Sequence, residues 1–488
     1  MTVSAPPLEL LPEPSLLIAD RRVADSSGGA YEHRYPATGH PTGNVAIAGR
    51  AEIDEAVRAA RAAVPGWQAL PVNERRDLML AFADLLVREA GSLINLNIID
   101  NGTPHAVADF GPRLTADMFR YNAGWADKVG GEVVPVWPGA GFDYTLQEPY
   151  GVVAIIIPWN GPVHAIGMTT APALAAGNTV VIKPPELAPY TALRIGELFL
   201  EAGFPPGVVN VVPAGPAGGE ALVGHPEVDK IHFTGSGATA RKIIDVAKRN
   251  LTPVALELGG KSANLIFADA DLPSAAQQAI SGIVNLSGQG CINGTRILVE
   301  RAVYDDVVDL AKTMVEQLPI GDPADPSTVF GPVVNDVACE RILGVIEKAR
   351  FDGAGRLITG GTRLSGDLAD GYYVAPTIFA DVDNTSSLAQ QEVFGPVLAM
   401  LPFDGEDEAV RLANDTTYGL AGYVQTRDLT RAHRVAAQLA AGNIWINGFA
   451  GIPTSAPFGG VKQSGQGRLG GLAGIHEFTR PKNVWISM

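Results

Sequence analysis

The sequence predicts an α/β protein built on buried parallel sheets. Apolar, β-branched runs bounded by glycine and proline alternate with helix-forming segments over residues 151–212, and a second alternating series begins near residue 265. Continuous apolar strands separated by helices are typical of parallel sheets that are covered on both faces. With 488 residues the chain exceeds the size at which a single hydrophobic core keeps growing, so two or three domains are expected.

The N-terminal part of the chain precedes this alternation. Residues 1–20 are predicted to form a loose arm, which is followed by hairpin-like strands around 17–19 and 31–35 and by a turn at 37–39. Apolar residues then recur at helical spacing among Arg and Glu. This spacing predicts two amphipathic helices, over 52–63 and 73–90.

The first alternating series predicts three parallel strands and the helices that connect them. The strands are expected at 152–157, 179–182 and 208–212, with helices over 172–176 and 191–202. The second series predicts strands at 296–299 and 397–403 and a helix over 303–317. Such sheets bind ligands at the carboxyl ends of their strands, so polar residues that follow a strand are candidates for function.

Composition excludes several classes of function. The formal net charge of −16 repels nucleic acid and anionic lipid surfaces, so neither is an expected partner. Two cysteines cannot form a disulfide framework, and the eight histidines show no metal-ligand spacing, so no metal is predicted. The Pro-rich N-terminus does not resemble a signal peptide, and the longest apolar runs are too short to span a membrane. The expected location is the cytoplasm.

Two candidate catalytic residues follow from local chemistry. Cys291 lies in the small-residue run Gly288-Gln289-Gly290-Cys291, where a thiol would be reachable and could act as a nucleophile. The alternative is a buried cysteine that behaves as a small hydrophobe, as is also expected for Cys339. Asn160 ends an apolar strand, where its amide could stabilise an oxyanion or could simply occupy a turn.

Carboxylates and a small-residue loop offer further candidates. Glu257 stands in an apolar strand-like run, where burial would make it a usable base, although it could equally face water on an edge strand. Lys183 and Glu186 follow another strand and suit ribose hydroxyls and phosphate, but they also fit a solvated loop. The segment 234–241 resembles a phosphate-binding helix start without the full glycine spacing.

Six short motifs follow one another along the chain: Pro158-Trp159-Asn160, Lys183-Pro184-Pro185-Glu186, Phe233-Thr234-Gly235-Ser236, Glu257-Leu258-Gly259-Gly260-Lys261, Gly288-Gln289-Gly290-Cys291 and Glu392-Val393-Phe394-Gly395-Pro396. In this order they resemble the aldehyde dehydrogenase superfamily, and the resemblance runs from about residue 19 to the C-terminus.

The resemblance implies an NAD(P)-dependent oxidation of an aldehyde to a carboxylic acid. It makes Cys291 the nucleophile, which forms a thiohemiacetal and then a thioester. Asn160 matches the amide that stabilises the oxyanion, and Glu257 matches the base that activates the deacylating water. The presence of Glu257 also argues against the members that transfer their acyl group to coenzyme A.

The resemblance further implies a set of cofactor contacts. Lys183 and Glu186 match positions that hold the adenosine ribose, and Ser236 matches a position that contacts the pyrophosphate. Glu392 matches the residue that binds the nicotinamide ribose, and Phe394 matches a residue beside the nicotinamide. A carboxylate at Glu186 favours NAD, with NADP still possible. The full predicted set is Ile156, Pro158, Trp159, Lys183, Glu186, Gly215, Phe233, Gly235, Ser236, Leu258, Glu392 and Phe394.

Departures from the family pattern define the predicted substrate pocket. Several positions that are often bulky carry smaller residues here, which predicts an open, mostly apolar tunnel for an aromatic, branched or longer-chain aldehyde. His164 either lines this tunnel or is an ordinary helix-face histidine. The predicted pocket residues are Gly161, His164, Met168, Gly290, Ile292, Ile452 and Phe458.

The resemblance also implies the domain organisation. A Rossmann-type NAD-binding domain is expected over 1–128 and 150–257, an α/β catalytic domain over 258–459, and a β oligomerisation arm with the C-terminal tail over 129–149 and 460–488. This arm predicts a homodimer or homotetramer. Two alternative functions stay open: a cysteine-dependent esterase or amidase that needs no cofactor, and a catalytically silent binding protein.

Overall fold

The computed structural model describes residues 3–487 and contains strands and helices in regular alternation. The strands are β1 (Leu16–Ile18), β2 (Arg21–Val23), β3 (Ala30–Arg34), β4 (Pro41–Ala46), β5 (Val133–Val134), β6 (Gly141–Pro149), β7 (Val152–Ile156), β8 (Thr179–Lys183), β9 (Val209–Val211), β10 (Lys230–Gly235), β11 (Val254–Leu258), β12 (Ser262–Ile266), β13 (Gly294–Glu300), β14 (Arg356–Thr359), β15 (Thr377–Ala380), β16 (Val397–Phe403), β17 (Ala421–Gln425), β18 (Asn443–Ile446), β19 (Gly465–Gln466) and β20 (Thr479–Ser487). The α-helices are α1 (Arg50–Ala69), α2 (Val72–Arg88), α3 (Ala90–Asn101), α4 (His105–Ala108), α5 (Phe110–Ala123), α6 (Pro162–Ala175), α7 (Tyr190–Glu201), α8 (Pro216–Val223), α9 (Gly237–Ala247), α10 (Leu272–Val284), α11 (Tyr304–Glu316), α12 (Asp336–Phe351), α13 (Ser387–Gln390), α14 (Glu406–Asn414), α15 (Leu429–Gln438) and α16 (Gly471–Glu477).

Two large sheets organise the molecule, which confirms the predicted α/β class. The first has eight strands in the order β19-β11-β10-β7-β8-β9-β1-β2, and the five strands from β11 to β9 are parallel. The second has seven strands in the order β14-β15-β16-β13-β12-β17-β18, all parallel except β14. A third sheet, β20-β6-β5, joins the C-terminal strand to the segment around residues 133–149.

Both faces of the first sheet are buried, as its continuous apolar strands predict. In β7, Val153 and Ile155 belong to one hydrophobic cluster, while Val152 and Ala154 belong to another on the opposite face. Because alternate side chains of a strand point to opposite faces, a run without polar residues must be covered on both sides. The alternation of β-branched residues with helices therefore identified this sheet correctly.

Three predicted segments differ in detail from the structure. The predicted loose arm ends before residue 20, because Leu16–Ile18 form buried strand β1, which agrees with the hairpin-like strand predicted around 17–19, and Leu17 pairs with Val211 of β9. Helix α6 begins at Pro162, ten residues before the predicted start, because a proline at the first helical position loses no hydrogen bond. In the predicted C-terminal tail, β19 pairs with β11, so the segment 460–488 is shared between two sheets.

Candidate active site

The candidate site lies at the carboxyl ends of four adjacent parallel strands of the first sheet. Register brings Ile156 of β7 beside Lys183 of β8 on one side and Phe233 of β10 on the other. Gly235 of β10 pairs in turn with Leu258 of β11. The loops that leave these strands therefore open onto one edge of the sheet, where such folds bind ligands.

A cavity of about 940 Å³ occupies this edge. All the predicted catalytic residues and all the predicted cofactor residues line it, although they come from loops spread over more than 230 residues of sequence. These residues are Ile156, Pro158, Trp159, Asn160, Lys183, Glu186, Gly215, Phe233, Gly235, Ser236, Glu257, Leu258, Cys291, Glu392 and Phe394.

One end of the cavity is formed by a buried cation and a carboxylate. Lys183 is only 8% exposed, and within residues 3–487 its ammonium has no hydrogen-bond or ion-pair partner. Burial lowers its pKa to about 8, although the charge of Glu186 opposes this shift. Because a buried polar group without a partner is costly, this end of the cavity fits a hydroxyl-bearing ligand such as a ribose.

The N-terminus of helix α9 lies along the same cavity. Ser236 is the N-cap residue: its Oγ accepts a hydrogen bond from the Thr239 amide at 3.2 Å and donates one to the Thr239 hydroxyl at 3.0 Å. The amides of the first helical turn and the helix dipole favour an anion such as a pyrophosphate here. Thr239 also lines the cavity, and the helix pattern alone did not single it out.

The opposite end of the cavity is closed by the loop between α13 and β16. The Gly260 amide donates a hydrogen bond to Glu392 Oε1 at 3.1 Å, and a Cβ at Gly259 would overlap the Glu392 carboxylate. Burial raises the pKa of Glu392 to about 7, opposed by that hydrogen bond and by the charges of Lys261 and Arg341. The Phe394 ring meets Trp159 edge-on, with 5.3 Å between the ring centroids.

Cys291 follows a tightly constrained loop and is partly exposed to the cavity. Gly288 has φ +79°, and a Cβ there would overlap the backbone of Gly395, so this position needs glycine. Burial raises the pKa of the Cys291 thiol to about 12, and the charges of Glu392 and Glu257 add to this shift. In this state the thiol is protonated, and attack requires that its proton be removed.

Asn160 reaches the cysteine loop directly. Its Nδ2 donates a hydrogen bond to the carbonyl oxygen of Gln289 at 2.7 Å, two residues before Cys291. An amide nitrogen carries two protons, and in the described part of the chain the second has no acceptor. Asn160 is therefore positioned by the loop and keeps one N–H for a ligand, which a simple turn residue would not do.

Glu257 is a buried carboxylate, and the alternative of an edge-strand residue facing water is wrong. It is 6% exposed, because β11 lies between β10 and β19. Burial raises the pKa of Glu257 well above its ordinary value, while the charge of Arg468 opposes this shift and that of Glu477 adds to it. Its Oε2 has no hydrogen-bond partner among the described residues, as suits a base that would bind water.

The predicted substrate-pocket residues lie outside the lining of the large cavity, in apolar surroundings. Met168, Ile292 and Phe458 are buried in one hydrophobic cluster, and Cys291 and Ile452 pack against it. A Cβ built at Gly161 would have no neighbour within 4 Å, so space is open there.

Gly290 does not open the pocket as predicted. A Cβ at this position would lie 2.5 Å from Asn293 Oδ1, so the missing side chain makes room for Asn293. Asn293 in turn donates hydrogen bonds to the carbonyl oxygens of Gly282 and Asn285. Gly290 is thus required by the packing of the loop.

Several residues at the site carry no signal that sequence reasoning could have used. Arg341 comes from α12 and donates hydrogen bonds to the carbonyl oxygens of Val393 at 2.6 Å and Phe394 at 3.2 Å, which holds the Glu392 loop. Tyr423 of β17 donates one to the Ile292 carbonyl oxygen at 2.8 Å. These contacts join residues 52 or more positions apart, so no local pattern reveals them.

Comparisons with known proteins agree with this site. The model of the aldehyde dehydrogenase family matches residues 23–484. The chain is 41% identical over 480 residues to betaine aldehyde dehydrogenase of Cereibacter sphaeroides, covering 98% of each chain. It matches the NAD⁺ complex of aldehyde dehydrogenase from Bacillus cereus with a TM-score of 0.95 and 38% identity, covering 100% of each chain.

A third similar structure is a mutant of P. syringae AldA, an indole-3-acetaldehyde dehydrogenase, in complex with NAD⁺ and IAA. The TM-score is 0.94 at 38% identity, covering 98% of this chain and 97% of that chain. The fold, the ordered motifs and these matches place the chain in the aldehyde dehydrogenase family, whose members are oxidoreductases that convert aldehydes to acids. The resemblance inferred from the sequence is confirmed.

Two further observations concern partners and metals. Within residues 3–487, no helix is long and apolar enough to cross a membrane. Over the same residues, no group of three or more His, Cys, Asp or Glu side chains is arranged to hold a metal ion.

Proposed function

We propose that this protein oxidises an apolar aldehyde to its carboxylic acid with NAD as the hydride acceptor. The observation that supports this most directly is the shared cavity: Cys291, Asn160 and Glu257 line the same space as the residues that fit a dinucleotide. An esterase that pairs its thiol with a histidine has less support, since no histidine in the described part of the chain hydrogen-bonds Cys291.

The residues divide the chemistry into two steps. The Cys291 thiol first gives its proton to solvent water. The resulting thiolate attacks the aldehyde carbon and forms a C–S bond while the carbonyl π electrons move to oxygen, and the free N–H of Asn160 stabilises the resulting oxyanion of the thiohemiacetal. NAD, when bound, supplies the hydride acceptor that converts this adduct to a thioester. Glu257 then takes a proton from water, whose oxygen attacks the thioester carbon, and the acid leaves as the C–S bond breaks.

The residues that line the cavity fit the parts of NAD in turn. The Lys183 ammonium and the Glu186 carboxylate would hold the adenosine ribose. The amides at the start of α9 would bind the pyrophosphate, and Glu392 would bind the nicotinamide ribose. We propose NAD over NADP because Glu186 would repel a 2′-phosphate, although Lys183 leaves NADP possible. Phe394 and Trp159 would border the nicotinamide.

The substrate proposed is an aromatic, branched or longer-chain aldehyde. The open space at Gly161 and the apolar side chains of Met168, Ile292, Ile452 and Phe458 support this choice. An apolar wall stabilises a larger apolar substrate by about 0.8 kcal/mol per buried methylene group. A small aldehyde such as acetaldehyde gains little from it.

We further propose the domain roles that the resemblance implies. Residues 1–128 and 150–257 would bind NAD, 258–459 would carry the nucleophile, and 129–149 with part of 460–488 would form the oligomerisation arm of a cytoplasmic homodimer or homotetramer. The sheet β20-β6-β5 supports the arm, because it exposes large apolar side chains and leaves one edge of β20 unpaired.

The test is the formation of reduced cofactor, followed by absorbance at 340 nm, with acetaldehyde, hexanal and benzaldehyde and with NAD or NADP. We expect turnover with NAD and a higher kcat/KM for hexanal or benzaldehyde than for acetaldehyde. Cys291→Ala should abolish turnover, whereas the control Cys339→Ala, at a buried position of α12, should retain it.

Two outcomes would contradict the proposal. Absence of reduced cofactor with every aldehyde would refute the dehydrogenase activity, and turnover by Cys291→Ala would remove this thiol from the mechanism. A preference for acetaldehyde would refute only the proposed substrate class.

A further inference from the structure

His164 brings a polar ring into the otherwise apolar surroundings of the pocket. It lies on α6 in its first turn, and within residues 3–487 neither ring nitrogen has a hydrogen-bond partner. The buried ring of His33 shares hydrogen bonds with Thr42 at 2.7 Å and with the Asp100 carbonyl at 3.1 Å. The ring of His164 is instead partly exposed, so its free nitrogens can be reached and hydrogen-bonded by a ligand.

The imidazole of His164 is uncharged at neutral pH. Burial lowers its pKa to about 4, and no neighbouring carboxylate counteracts this. A neutral imidazole has one N–H donor and one acceptor nitrogen. It therefore suits an uncharged hydroxyl group, which can donate a hydrogen bond to the free nitrogen, and offers no ionic attraction to a charged substituent.

Helix geometry places this ring on the substrate side of Cys291. Gly161, His164 and Met168 follow one another at spacings of three and four residues, so they share one face of the start of α6. Space is open at Gly161, and the preceding residue, Asn160, contacts the loop of Cys291. His164 thus follows the amide that would hold the aldehyde oxygen by four residues and lies in the first turn of the helix that begins there.

A set of near-parallel aromatic rings contacts the residue that follows Cys291. Tyr423 stacks on Trp445 with 5.2 Å between centroids and 19° between planes, and on Phe449 with 5.5 Å and 12°. The Tyr423 hydroxyl is tied to the backbone of Ile292, next to Cys291. Trp445 and Phe449 are only partly buried, so flat apolar surface stays available to a flat substrate.

We propose that His164 determines specificity by selecting an aromatic aldehyde that carries an uncharged hydroxyl group on its ring, which donates a hydrogen bond to the imidazole. This inference rests on the proposed dehydrogenase function and names its substrate class. Anionic substrates are disfavoured because the charges that act on Cys291 are those of Glu257 and Glu392. A quaternary ammonium substituent has neither a donor nor an acceptor with which the imidazole could form a hydrogen bond.

The first experiment uses the wild-type enzyme with NAD and compares kcat/KM for 3- and 4-hydroxybenzaldehyde with the corresponding methoxybenzaldehydes. A methoxy group has a similar electronic effect on the carbonyl but cannot donate a hydrogen bond. We expect at least one hydroxyl isomer to be preferred over its methoxy partner by about tenfold, the effect of one well-placed hydrogen bond.

The second experiment repeats the comparison in His164→Leu and in the matched variant His164→Gln. The hydroxyl-over-methoxy ratio should fall about tenfold in His164→Leu, and Gln, which keeps an acceptor and a donor, should restore part of it. A merely structural role would change all substrates together and leave the ratio unaltered. If His164→Leu does not fold, the hydroxyl-over-methoxy ratios of the wild type and of His164→Gln still test whether His164 selects the hydroxyl group.

Several results would overturn this inference. They are equal kcat/KM for hydroxyl and methoxy substrates in the wild type, an unchanged ratio in His164→Leu, or a higher kcat/KM for betaine aldehyde than for every hydroxybenzaldehyde. Failure of the proposed function would look different, because then no aldehyde in the panel would lead to reduction of NAD.

Discussion

Glu257 illustrates how a single residue acquires its chemistry from its surroundings. Gly459 lies beside its carboxylate. A Cβ built at Gly459 would be 2.7 Å from Glu257 Oε1 and 3.0 Å from Arg468 Cδ. The backbone amide of Arg468 donates a hydrogen bond to Glu477 Oε2 at 3.1 Å. Two opposite charges thus act on the candidate base from the same side, and their effects on its pKa have opposite signs.

The pH dependence of turnover should report the burial of Glu257. The base works in its ionised form, and burial raises its pKa well above 4.5. Activity limited by deacylation should therefore fall with decreasing pH through an acid limb that lies well above the range of an exposed glutamate. An acid limb near pH 4.5 in a kcat profile would show that Glu257 is not the base.

Two substitutions should move this acid limb in opposite directions. Arg468→Met removes a positive charge that favours the carboxylate, so the limb should move to higher pH. Glu477→Gln removes a negative charge, so the limb should move to lower pH. The measurement is kcat against pH with hexanal. If the acid limb moved in the same direction in both variants, the cause would be a general loss of structure and not the removal of a charge.

At the scale of secondary-structure elements, the second sheet depends on buried polar ties as well as on apolar packing. Arg296 of β13 is fully buried and donates hydrogen bonds to the carbonyl oxygens of Lys261, Leu412 and Ala413 and to Asn384 Oδ1. Leu412 and Ala413 belong to the last turn of α14, where free carbonyls and the helix dipole favour a cation. Arg296 thus anchors the end of this helix to the sheet.

Arg296→Met should destabilise the protein strongly. It leaves four acceptors without their donor, and each buried acceptor left unpaired costs about 1–3 kcal/mol. The matched control is Arg301→Met, because the ion pair of Arg301 with Asp404 at 2.7 Å is exposed and should contribute little. Thermal unfolding of both variants tests this, and equal Tm changes would contradict it.

At the scale of the whole molecule, the small sheet β20-β6-β5 and the loop between β5 and β6 expose several large apolar side chains. Trp137 between β5 and β6 is 90% exposed and Trp485 of β20 is 53% exposed. Val133, Phe142 and Ile486 of the same sheet are also exposed. Contiguous apolar surface of this kind typically marks an interface with another chain.

Charged residues on this sheet should disrupt assembly. Trp137→Glu combined with Trp485→Glu is expected to lower the molar mass in solution to that of a smaller oligomer or the monomer, measured by light scattering. The control is Phe351→Glu, at an isolated side chain that is 92% exposed at the end of α12, which should leave the mass unchanged. A monomeric wild-type protein, or an unchanged mass in the double variant, would refute the proposed role of the arm.

The sequence by itself determined the fold class, the family and the residues that the structure brings to one cavity. These depend on short-range information: strand periodicity, and motifs of three to five residues in which spacing along the chain places each group at a strand end. Lys183 was found in this way because it ends a buried strand, and Asn160 because it lies in the loop that leaves the neighbouring one.

Only the tertiary structure decided the environments of these residues. The burial of Glu257 depends on β19, which comes from a segment more than 200 residues later, and its pKa depends on Arg468 and Glu477. Gly290 proved to be a packing position because its surroundings are set by Asn293. Burial and charge depend on neighbours in space, and a linear pattern does not specify which distant residues those neighbours will be.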